Sequence, residues 1–387
     1  MRRVASPQRP DFARCAADIG FDFAEIDGEI YWDESVRYEF TLREIEDDLE
    51  APTEELGALC REFVGRAVTD EGVLRKLAIP EHAWDLIAGS WKRGEPSLYG
   101  RFDFVYDGNG PAKLLEYNAD TPTSLFESAV VQWRWMRDLV ARGLLPAETD
   151  QFNSLHEKLI ARWGAIAPEP GQFLHLACMP DSVEDTGTIA YLADCAIQAG
   201  LETSQIGMGD IGFLMDRFAD HDDRAIEFLF KLYPWEWMFS DEFGKSPAMK
   251  MTRFVEPPWK ALLSNKGLLA LLWEAEPNHP NLLPAYFESD LRADSLGDRY
   301  ARKPLLSREG ANVTLYDGAH ILARQSGDYG AEGYVRQALH PLPDFDGKRP
   351  VIGSWLVGDE AAGMGIREDT SAITSNRSRF VPHIILG

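Results

Sequence analysis

Two short runs between residues 98 and 124 alternate polar and apolar positions. Residues 101–104 read RFDF and residues 115–118 read LEYN. A period of two is typical of a strand with one buried face. Residues 107–111, which separate the runs, read DGNGP and form a dense turn signal. The pattern therefore predicts an antiparallel hairpin in which the polar side chains of both strands share one face.

The polar face of the predicted hairpin carries Arg101, Asp103, Glu116 and Asn118. If the strands pair in register, two carboxylates, an amide oxygen and a guanidinium converge there. An oxygen-rich set without histidine or cysteine suits a hard cation, and its sparseness suits Mg²⁺ on nucleotide phosphates better than Ca²⁺. Charge alternation is equally common on the solvated face of a two-stranded ribbon. The hairpin alone leaves both interpretations open.

The residues before this hairpin predict helices and strands but show no catalytic or ligand-binding pattern. Residues 12–17 predict a short helix, and residues 20–32 predict two short strands joined by a turn at Asp27-Gly28. Thr41 and Glu44 form a capping-box signature ahead of a helix.

Further helices are predicted from apolar periodicity. Pro52 predicts a break in the first long helix, and residues 80–91 and 152–166 predict two more. The polar loop 119–124 leads into another helix, whose predicted apolar stripe is Val130, Trp133, Met136 and Val140.

Residues 171–232 change to an alternating strand and helix pattern. An apolar strand at 171–179, a helix at 184–199 and a strand near 204–206 form a βαβ pattern, which indicates a Rossmann-like α/β domain. Gly207 and Gly209 are weak as a dinucleotide signature, because a third glycine is missing and they follow the second strand. We interpret them as a turn.

The C-terminal part is rich in predicted strands, at 301–306, 313–316, 334–337 and 351–357. The Ser/Gly loop 307–312 follows Lys303 closely and could cover a phosphate with backbone N–H groups and a cation. It is not a Walker motif, because no helix follows a GK[ST] sequence. The strand at 334–337 is the kind of edge that can hydrogen-bond an adenine.

The composition narrows the class of partner. The 387 residues include 39 basic and 63 acidic side chains, for a net charge of −24, which argues against nucleic acid or an anionic membrane as partner. The four cysteines form no CxxC pair and lie in predicted helices or at a strand end, so we expect reduced structural thiols. The longest apolar stretch is too short to cross a bilayer. We expect a soluble, cytoplasmic protein.

Five stretches spread over the chain together resemble the synthetase part of the glutathionylspermidine synthase family, of the ATP-grasp superfamily. They are RFDF (101–104), LLEYNADTPTS (114–124), ARKPLLSREGANV (301–313), IGSWLV (352–357) and GIRED (365–369). The resemblance implies an α/β (α+β) ATP-grasp fold with a Rossmann-like preATP-grasp domain. The implied division is a scaffold with the metal-binding hairpin at 1–124 that packs with 300–387, the Rossmann-like domain at 125–232, an ATP-grasp small lobe at 233–299, and a nucleotide-binding and catalytic region at 300–387.

The resemblance also implies an activity, which is ATP-dependent formation of an amide bond through an acyl phosphate. Under this reading the Mg²⁺ ligands are Asp103, Glu116 and Asn118, and the catalytic residues are Arg101 and Arg367. The ATP-binding residues are Lys266, Lys303, Ser307, Gly310 and Gln337. The residues that face the acid substrate are Thr121, Thr123 and Glu236. Taken alone, an acid between aromatic side chains or a lone helical lysine is more often solvated surface.

The resemblance leaves the substrates open. The bifunctional members carry an amidase domain before the synthetase, which we do not expect here, and Thr121-Pro122-Thr123 stands where those enzymes look serine-rich. We expect a small peptide or amino acid as the acid, a polyamine or other amine, and a monomer or homodimer. One alternative is an ATP-binding protein without turnover that acts as a regulatory or assembly partner. A weaker one is an NAD-type oxidoreductase, which rests only on Gly207 and Gly209.

Overall fold

The computed structural model describes residues 1–26, 28–167, 169, 171–375 and 378–386, and it confirms the mixed α/β class. The predicted hairpin is present and pairs Tyr99–Val105 with Lys113–Asn118 in antiparallel register. It belongs to a five-stranded antiparallel sheet, which we call the central sheet. Its strands in spatial order are Arg379–Val381, Glu360–Asp369, Arg349–Val357, Tyr99–Val105 and Lys113–Asn118.

The strand Tyr99–Val105 is buried along its whole length, because it packs between two apolar cores. Phe102 stacks on Tyr117 of the neighbouring strand with ring centroids 3.8 Å apart. Tyr99 stacks between Phe230 and Trp355 at 6.2 and 5.8 Å. The hairpin is therefore held rigidly, which matters for the polar residues that it carries.

The N-terminal part is mainly helical and covers the central sheet. The capping box is confirmed, since the Thr41 hydroxyl accepts a hydrogen bond from the Glu44 N–H and the Glu44 carboxylate accepts one from the Thr41 N–H. The predicted turn at Asp27 lies outside the described residues. The helices are Phe12–Ala17, Leu42–Ile45, Ala51–Ala67, Glu71–Lys76 and Glu81–Lys92, and the strands are Arg2–Ala5, Glu25–Ile26, Glu29–Ile30 and Val36–Thr41.

The predicted break at Pro52 is wrong, because the chain stays helical from Leu42 to Ala67. A π-helical turn, Glu46–Glu50, ends two residues before the proline. The wider turn leaves room for the pyrrolidine ring, and Pro52 lies in the first turn of the α-helix, where its missing N–H is tolerated.

The Rossmann-like pattern is confirmed as a four-stranded parallel sheet, which we call the parallel sheet. Its strands in spatial order are Arg253–Val255, Phe228–Leu232, Phe173–Cys178 and Glu202–Gly207. The helices Leu155–Ile166 and Val183–Gln198 accompany it, and Gly207 leads into the short 3₁₀ turn Met208–Asp210, as predicted. The small hairpin Gly212–Leu214 and Arg217–Ala219 follows.

The helical stripe predicted after residue 124 is confirmed for Val130, Met136 and Val140, which are buried or pack against the apolar cores, and is wrong for Trp133. A π-helical turn, Glu127–Val131, runs into the helix Gln132–Ala141, whose buried apolar face is Trp135, Met136 and Leu139. Trp133 is 48% exposed and lies beside the Arg137 guanidinium. The predicted spacing therefore placed three residues on the core-facing side correctly, but it named Trp133 where Trp135 is the buried tryptophan.

The C-terminal strands form a second five-stranded antiparallel sheet, the outer sheet, which confirms the strands predicted at 301–306, 313–316 and 334–337. In spatial order it consists of Ala285–Phe287, Tyr334–Ala338, Arg299–Pro304, Thr314–Asp317 and His320–Arg324. The remaining elements are the helices Trp235–Ser240 and Gly267–Ala275, the 3₁₀ helices Phe243–Lys245, Pro247–Lys250, Pro258–Leu262 and Leu291–Leu296, and the strand His383–Leu386. Among the described residues, no helix has the length and apolar character needed to span a membrane.

Candidate active site

The hairpin brings its four polar residues together as its spacing predicts. Asp103 pairs opposite Glu116, and Arg101 opposite Asn118. The Arg101 Nε donates to Asp103 Oδ1 at 2.7 Å, and the Asn118 amide nitrogen lies 3.2 Å from Asp103 Oδ2 and 3.5 Å from Glu116 Oε1. The polar face of this hairpin is therefore a cluster inside the protein and not a solvated ribbon.

A strand distant in sequence adds a second arginine to the cluster. Arg367, on Glu360–Asp369, donates from Nη2 to Asp103 Oδ2 at 2.6 Å. Asp103 is only 2% exposed and lies between two guanidinium groups. Arg101 also donates to the Thr123 carbonyl oxygen at 2.6 Å, which fixes the loop that follows the hairpin.

Two lysines lie near Glu116, as the two arginines lie near Asp103. The Lys266 ammonium is 3.1 Å from Glu116 Oε2 and donates to the Ser307 carbonyl oxygen at 2.6 Å. Lys303 donates to the Leu115 carbonyl oxygen at 2.8 Å and to Gln337 Oε1 at 2.7 Å. Leu115 is the extra residue of a bulge in the hairpin, so its carbonyl is available to this lysine.

The electrostatics of the cluster favour an anionic ligand. Burial favours the neutral form of Glu116, but the charges of Lys266 and Lys303 outweigh it and hold the pKa of Glu116 well below its usual range. Burial lowers the pKa of Lys303 to about 8, although Glu116 opposes this shift. Four cations thus face two carboxylates, in a protein whose net charge is −24. A local positive excess of this kind is complementary to a polyphosphate.

Two cavities meet at this cluster. A narrow cleft of about 210 Å³ lies between the central and outer sheets, with apolar walls and with Lys303 and Gln337 in its lining. A large cavity of about 600 Å³ lies on the other side of the hairpin. Glu116, Gly310 and Thr374 line both spaces, so a ligand in each could touch the other at this point.

The loop between the outer-sheet strands Arg299–Pro304 and Thr314–Asp317 forms part of the boundary between the two cavities. Gly310 has φ +72°, and a Cβ at this position would lie 2.7 Å from the Thr374 carbonyl oxygen, so a side chain there would be both strained and crowded. Arg308 hydrogen-bonds with the Thr121 hydroxyl and lies 3.5 Å from Glu236 Oε1. The buried Ser307 hydroxyl has no hydrogen-bond partner among the described residues, which leaves it available to a ligand.

The residues predicted to face the acid substrate all line the large cavity, namely Thr121, Thr123 and Glu236. Two carboxylates that the sequence analysis did not single out line it as well. Burial raises the pKa of Asp185 to about 6, and burial also raises the pKa of Glu184. One wall of the large cavity is therefore acidic, while the wall at the hairpin is cationic.

A buried ion pair that the sequence analysis missed fixes two walls of this cavity. The Lys231 ammonium lies 2.5 Å from Asp120 Oδ1, and Asp120 Oδ2 accepts a hydrogen bond from the Trp235 N–H at 2.8 Å. The pair ties the loop after the hairpin to the end of a parallel-sheet strand and to the helix that carries Glu236. Its only signal in the sequence is a lysine inside the apolar strand FLFKL.

The donor set at the hairpin fits Mg²⁺ that is held partly by phosphate. Asp103 and Glu116 supply carboxylate oxygens, and rotation of the Asn118 amide would turn its oxygen toward them at the cost of two weak contacts. Among the described residues, no group of three or more histidine, cysteine, aspartate or glutamate side chains could hold a metal unaided. An incomplete oxygen set that leaves positions for phosphate and water is the arrangement that Mg²⁺ favours.

Comparisons with known proteins give matches that cover nearly the whole chain. A family model described as glutathionylspermidine synthase preATP-grasp matches residues 3–386. A putative acid–amine ligase of Haemophilus influenzae is 47% identical over 397 residues, which cover 99% of each chain. Trypanothione synthetase of Crithidia fasciculata is 30% identical, with 82% of this chain and 52% of that protein covered.

Two further similarities bear on the length and the fold. The bifunctional glutathionylspermidine synthetase/amidase of Escherichia coli is 26% identical, with 94% of this chain and 62% of that protein covered. The structure of a glutathione synthetase-like effector from Globodera pallida, in its apo form, has a TM-score of 0.51 at 12% identity and covers 98% of both chains. This likeness supports the ATP-grasp fold and nothing more specific.

Proposed function

Because the chain belongs to the glutathionylspermidine synthase family, we propose that it is an ATP-dependent acid–amine ligase that joins its substrates through an acyl phosphate. The observation that carries this proposal is the meeting of two cavities at one cationic cluster. A ligase of this class must bring a nucleotide phosphate and a carboxylate into contact away from bulk water. The cleft and the large cavity offer one compartment for each.

The narrow cleft is the proposed site of ATP. Its apolar walls suit a purine ring, Gln337 lies on the strand beside it, and Lys303 and Lys266 suit the phosphate chain. Ser307 and Gly310 belong to the loop above the phosphates. Asp103, Glu116 and Asn118 would hold Mg²⁺, which would neutralise charge on the phosphates when bound.

The large cavity is the proposed site of the acid and the amine. A carboxylate oxygen of the acid attacks the γ-phosphorus and ADP leaves, and the amine nitrogen then attacks the carbonyl carbon of the acyl phosphate and phosphate leaves. Arg101 and Arg367 would stabilise the negative charge on the transferring group, and their positions beside Asp103 support this role. Thr121, Thr123 and Glu236 would contact the acid, and Arg308 would join them.

The charges of the cavity and the names of the relatives support our proposal for the substrate classes. The acidic wall at Glu184 and Asp185 suits a cationic amine, for which a polyamine is our first candidate. The relatives' names include glutathionylspermidine synthetase and trypanothione synthetase, so a small peptide is our candidate for the acid. The chain spans 52% and 62% of those two relatives, and their complete activities do not transfer directly.

Product analysis tests the proposal. Purified protein with Mg-ATP, a panel of small peptides and a panel of amines should release ADP and phosphate in a manner that requires both substrates. Glu116→Gln, which keeps the side-chain volume and removes the charge, should lower that rate by at least about a hundredfold. The matched control Glu62→Gln, on the exposed side of the helix Ala51–Ala67, should not change it.

Two results would contradict the proposal. Formation of AMP and pyrophosphate would place the chain in an adenylating class. Saturable Mg-ATP binding without ADP release for any acid and amine would favour the alternative of an ATP-binding protein without turnover.

A further inference from the structure

A further cavity of about 400 Å³ lies at the carboxyl edge of the parallel sheet, and we call it the methionine cavity. Three of its lining residues, Met179, Met208 and Tyr233, directly follow the strands Phe173–Cys178, Glu202–Gly207 and Phe228–Leu232. The chain passes from the first strand to the second on one side and then crosses to the third on the other side. Ligands of open parallel sheets bind at such a reversal, outside the carboxyl ends of the strands.

The walls of this cavity are apolar and adaptable. Four of the protein's nine methionines line it, and Phe218 and Phe254 add aromatic surface. Methionine is unbranched and polarisable, so it adjusts to ligands of different shapes and packs well against aromatic rings. The volume is within the range of small-molecule pockets. The walls therefore suit an aryl or alkyl group. The four methionines are Met179, Met208, Met238 and Met249.

The charges in the lining have one sign. Asp241 and Glu242 are both exposed, and no lysine, arginine or histidine is found among the described residues of the lining. The Tyr233 hydroxyl donates to Asp241 at 3.1 Å. Within the described part of the chain, neither carboxylate takes part in an ion pair. A ligand with a positive charge would find partners here, whereas an anionic ligand would be repelled.

We propose that the methionine cavity binds an amphipathic amine, with an aryl or alkyl body in the cavity and an ammonium group at Asp241 and Glu242. Met179 lines both this cavity and the large cavity, so the two sites are neighbours. None of the residues that we assign to ATP, Mg²⁺ or the acid lines the methionine cavity. The inference goes beyond the proposed ligase activity and does not depend on it.

Three probes with the same carbon skeleton test the chemistry of the site. We expect titration calorimetry of the full chain, without nucleotide, to show saturable binding of 2-phenylethylamine. Binding of 2-phenylethanol should be about tenfold weaker, because it lacks the charged hydrogen bond, and phenylacetate should not bind. The double variant Asp241→Asn, Glu242→Gln should lower the affinity for the amine to that for the alcohol and leave the alcohol unchanged.

A second variant tests the location. Gly209 is an exposed lining residue, and a Cβ there would meet no heavy atom within 4 Å, so the backbone can accept Gly209→Trp, whose indole ring we expect to cover the rim of the cavity. It should weaken binding of the amine more than tenfold, while Gly209→Ala keeps it. Unchanged stabilisation by Mg-ATP would show that the fold and the proposed nucleotide site are intact.

The outcomes separate this inference from the ligase proposal. Saturable binding of the amine that Gly209→Trp abolishes supports the site whether or not ADP is ever released. Absence of saturable amine binding by the native chain, equally strong binding of phenylacetate, or full amine affinity in Gly209→Trp would overturn it. If Gly209→Trp does not fold, the double variant Asp241→Asn, Glu242→Gln serves as the test. If this double variant still binds the amine more tightly than the alcohol, as the native chain does, the proposal is overturned.

Discussion

Single charged residues in the candidate site depend on partners that come from distant parts of the chain. The buried Asp103 carboxylate forms ion pairs with two arginines, and removal of either arginine would leave buried charge less well compensated. Arg101 follows from the alternation on one strand. Arg367 lies 264 residues from Asp103 along the chain, and only the resemblance to a family motif predicts it as a site residue. Local periodicity therefore predicts which side chains of one hairpin lie together. Residues on strands that are distant in sequence can be predicted only from the fold or from a resemblance to a known family.

The two lysines beside Glu116 give a prediction about nucleotide affinity. Lys303→Met and Lys266→Met should each weaken Mg-ATP binding by roughly 1–3 kcal/mol, because a charged hydrogen bond to phosphate is lost. Titration calorimetry measures the change. Lys113→Met is the matched control, since Lys113 is on the same hairpin but lines neither of the two cavities. If both test variants bind Mg-ATP with the native affinity, these lysines do not belong to the nucleotide site.

Glu127 gives a prediction about stability and pH. Burial, together with the charge of Glu184, raises the pKa of Glu127 to about 8, and its Oε1 accepts a hydrogen bond from the Tyr31 hydroxyl at 2.6 Å. Between about pH 4.5 and pH 8 the native state keeps a proton that the unfolded chain has lost. The free energy of unfolding should therefore fall as pH rises through this window.

The variant Glu127→Gln removes this titration and keeps an acceptor for Tyr31. Urea denaturation should show it close to the native protein at pH 5.5 and more stable at pH 8.5, by an amount on the order of 1–4 kcal/mol. Glu62→Gln, an exposed control, should show no such pH-dependent difference. A constant offset between Glu127→Gln and the native protein across the range would contradict the assigned protonation state.

At the level of elements, the predicted strands agree with the structure, whereas two details of the predicted helices do not. The hairpin follows from alternation and turn residues, and the βαβ unit follows from an apolar strand succeeded by a helix. The errors at Pro52 and at the stripe around Trp133 both lie at or beside a π-helical turn. Such a turn inserts a residue into the helical period, and no single residue type announces it. Sequence periodicity alone could not have predicted the continuous helix through Pro52 or the exposure of Trp133.

The loop 307–312 gives a prediction about ordering by nucleotide. Arg308 contacts Thr121 and Glu236 across the large cavity, but the loop offers little apolar surface to hold it in place. Mg-ATP should slow tryptic cleavage after Arg308 several-fold, because the loop gains contacts to the phosphates. Cleavage after the exposed Lys245 should proceed at the same rate with and without nucleotide and serves as the internal control.

A variant of the same loop sharpens this test. Gly310→Ala forces a Cβ into the left-handed region and toward the Thr374 carbonyl oxygen, so the loop should lose its closed position. We expect protection at Arg308 to disappear in this variant while its thermal unfolding stays near that of the native chain. Equal cleavage of the native protein with and without Mg-ATP would argue against ordering by nucleotide.

At the scale of the whole molecule, the three major sheets meet around the hairpin and leave separate spaces on its two sides. Tyr99 joins the central sheet to the parallel sheet through its stacking on Phe230. The bond from Lys303 to Leu115 joins the outer sheet to the same hairpin. The sequence predicts the elements and, through the family motifs, the cluster. It could not predict the cavities, because their volumes depend on how the sheets pack against one another.

The same packing encloses all four cysteines, which are free thiols and buried. Burial raises the pKa of Cys60 and of Cys195 to about 12, and it also raises the pKa of Cys15 and Cys178. A thiol attacks an amide carbonyl only as the thiolate, and an amidase cysteine needs a group that lowers its pKa. The environments of these cysteines have the opposite effect.

We therefore predict that this chain does not hydrolyse amides through a cysteine, although one relative is named a synthetase/amidase. Ellman's reagent should label almost no thiol in the native protein within minutes and four per chain after unfolding in guanidinium. Incubation with glutathionylspermidine in the absence of nucleotide should release no spermidine, as measured by chromatography. Spermidine release that Cys178→Ala abolishes, with Cys60→Ala as the matched control, would show that a buried thiol becomes reactive.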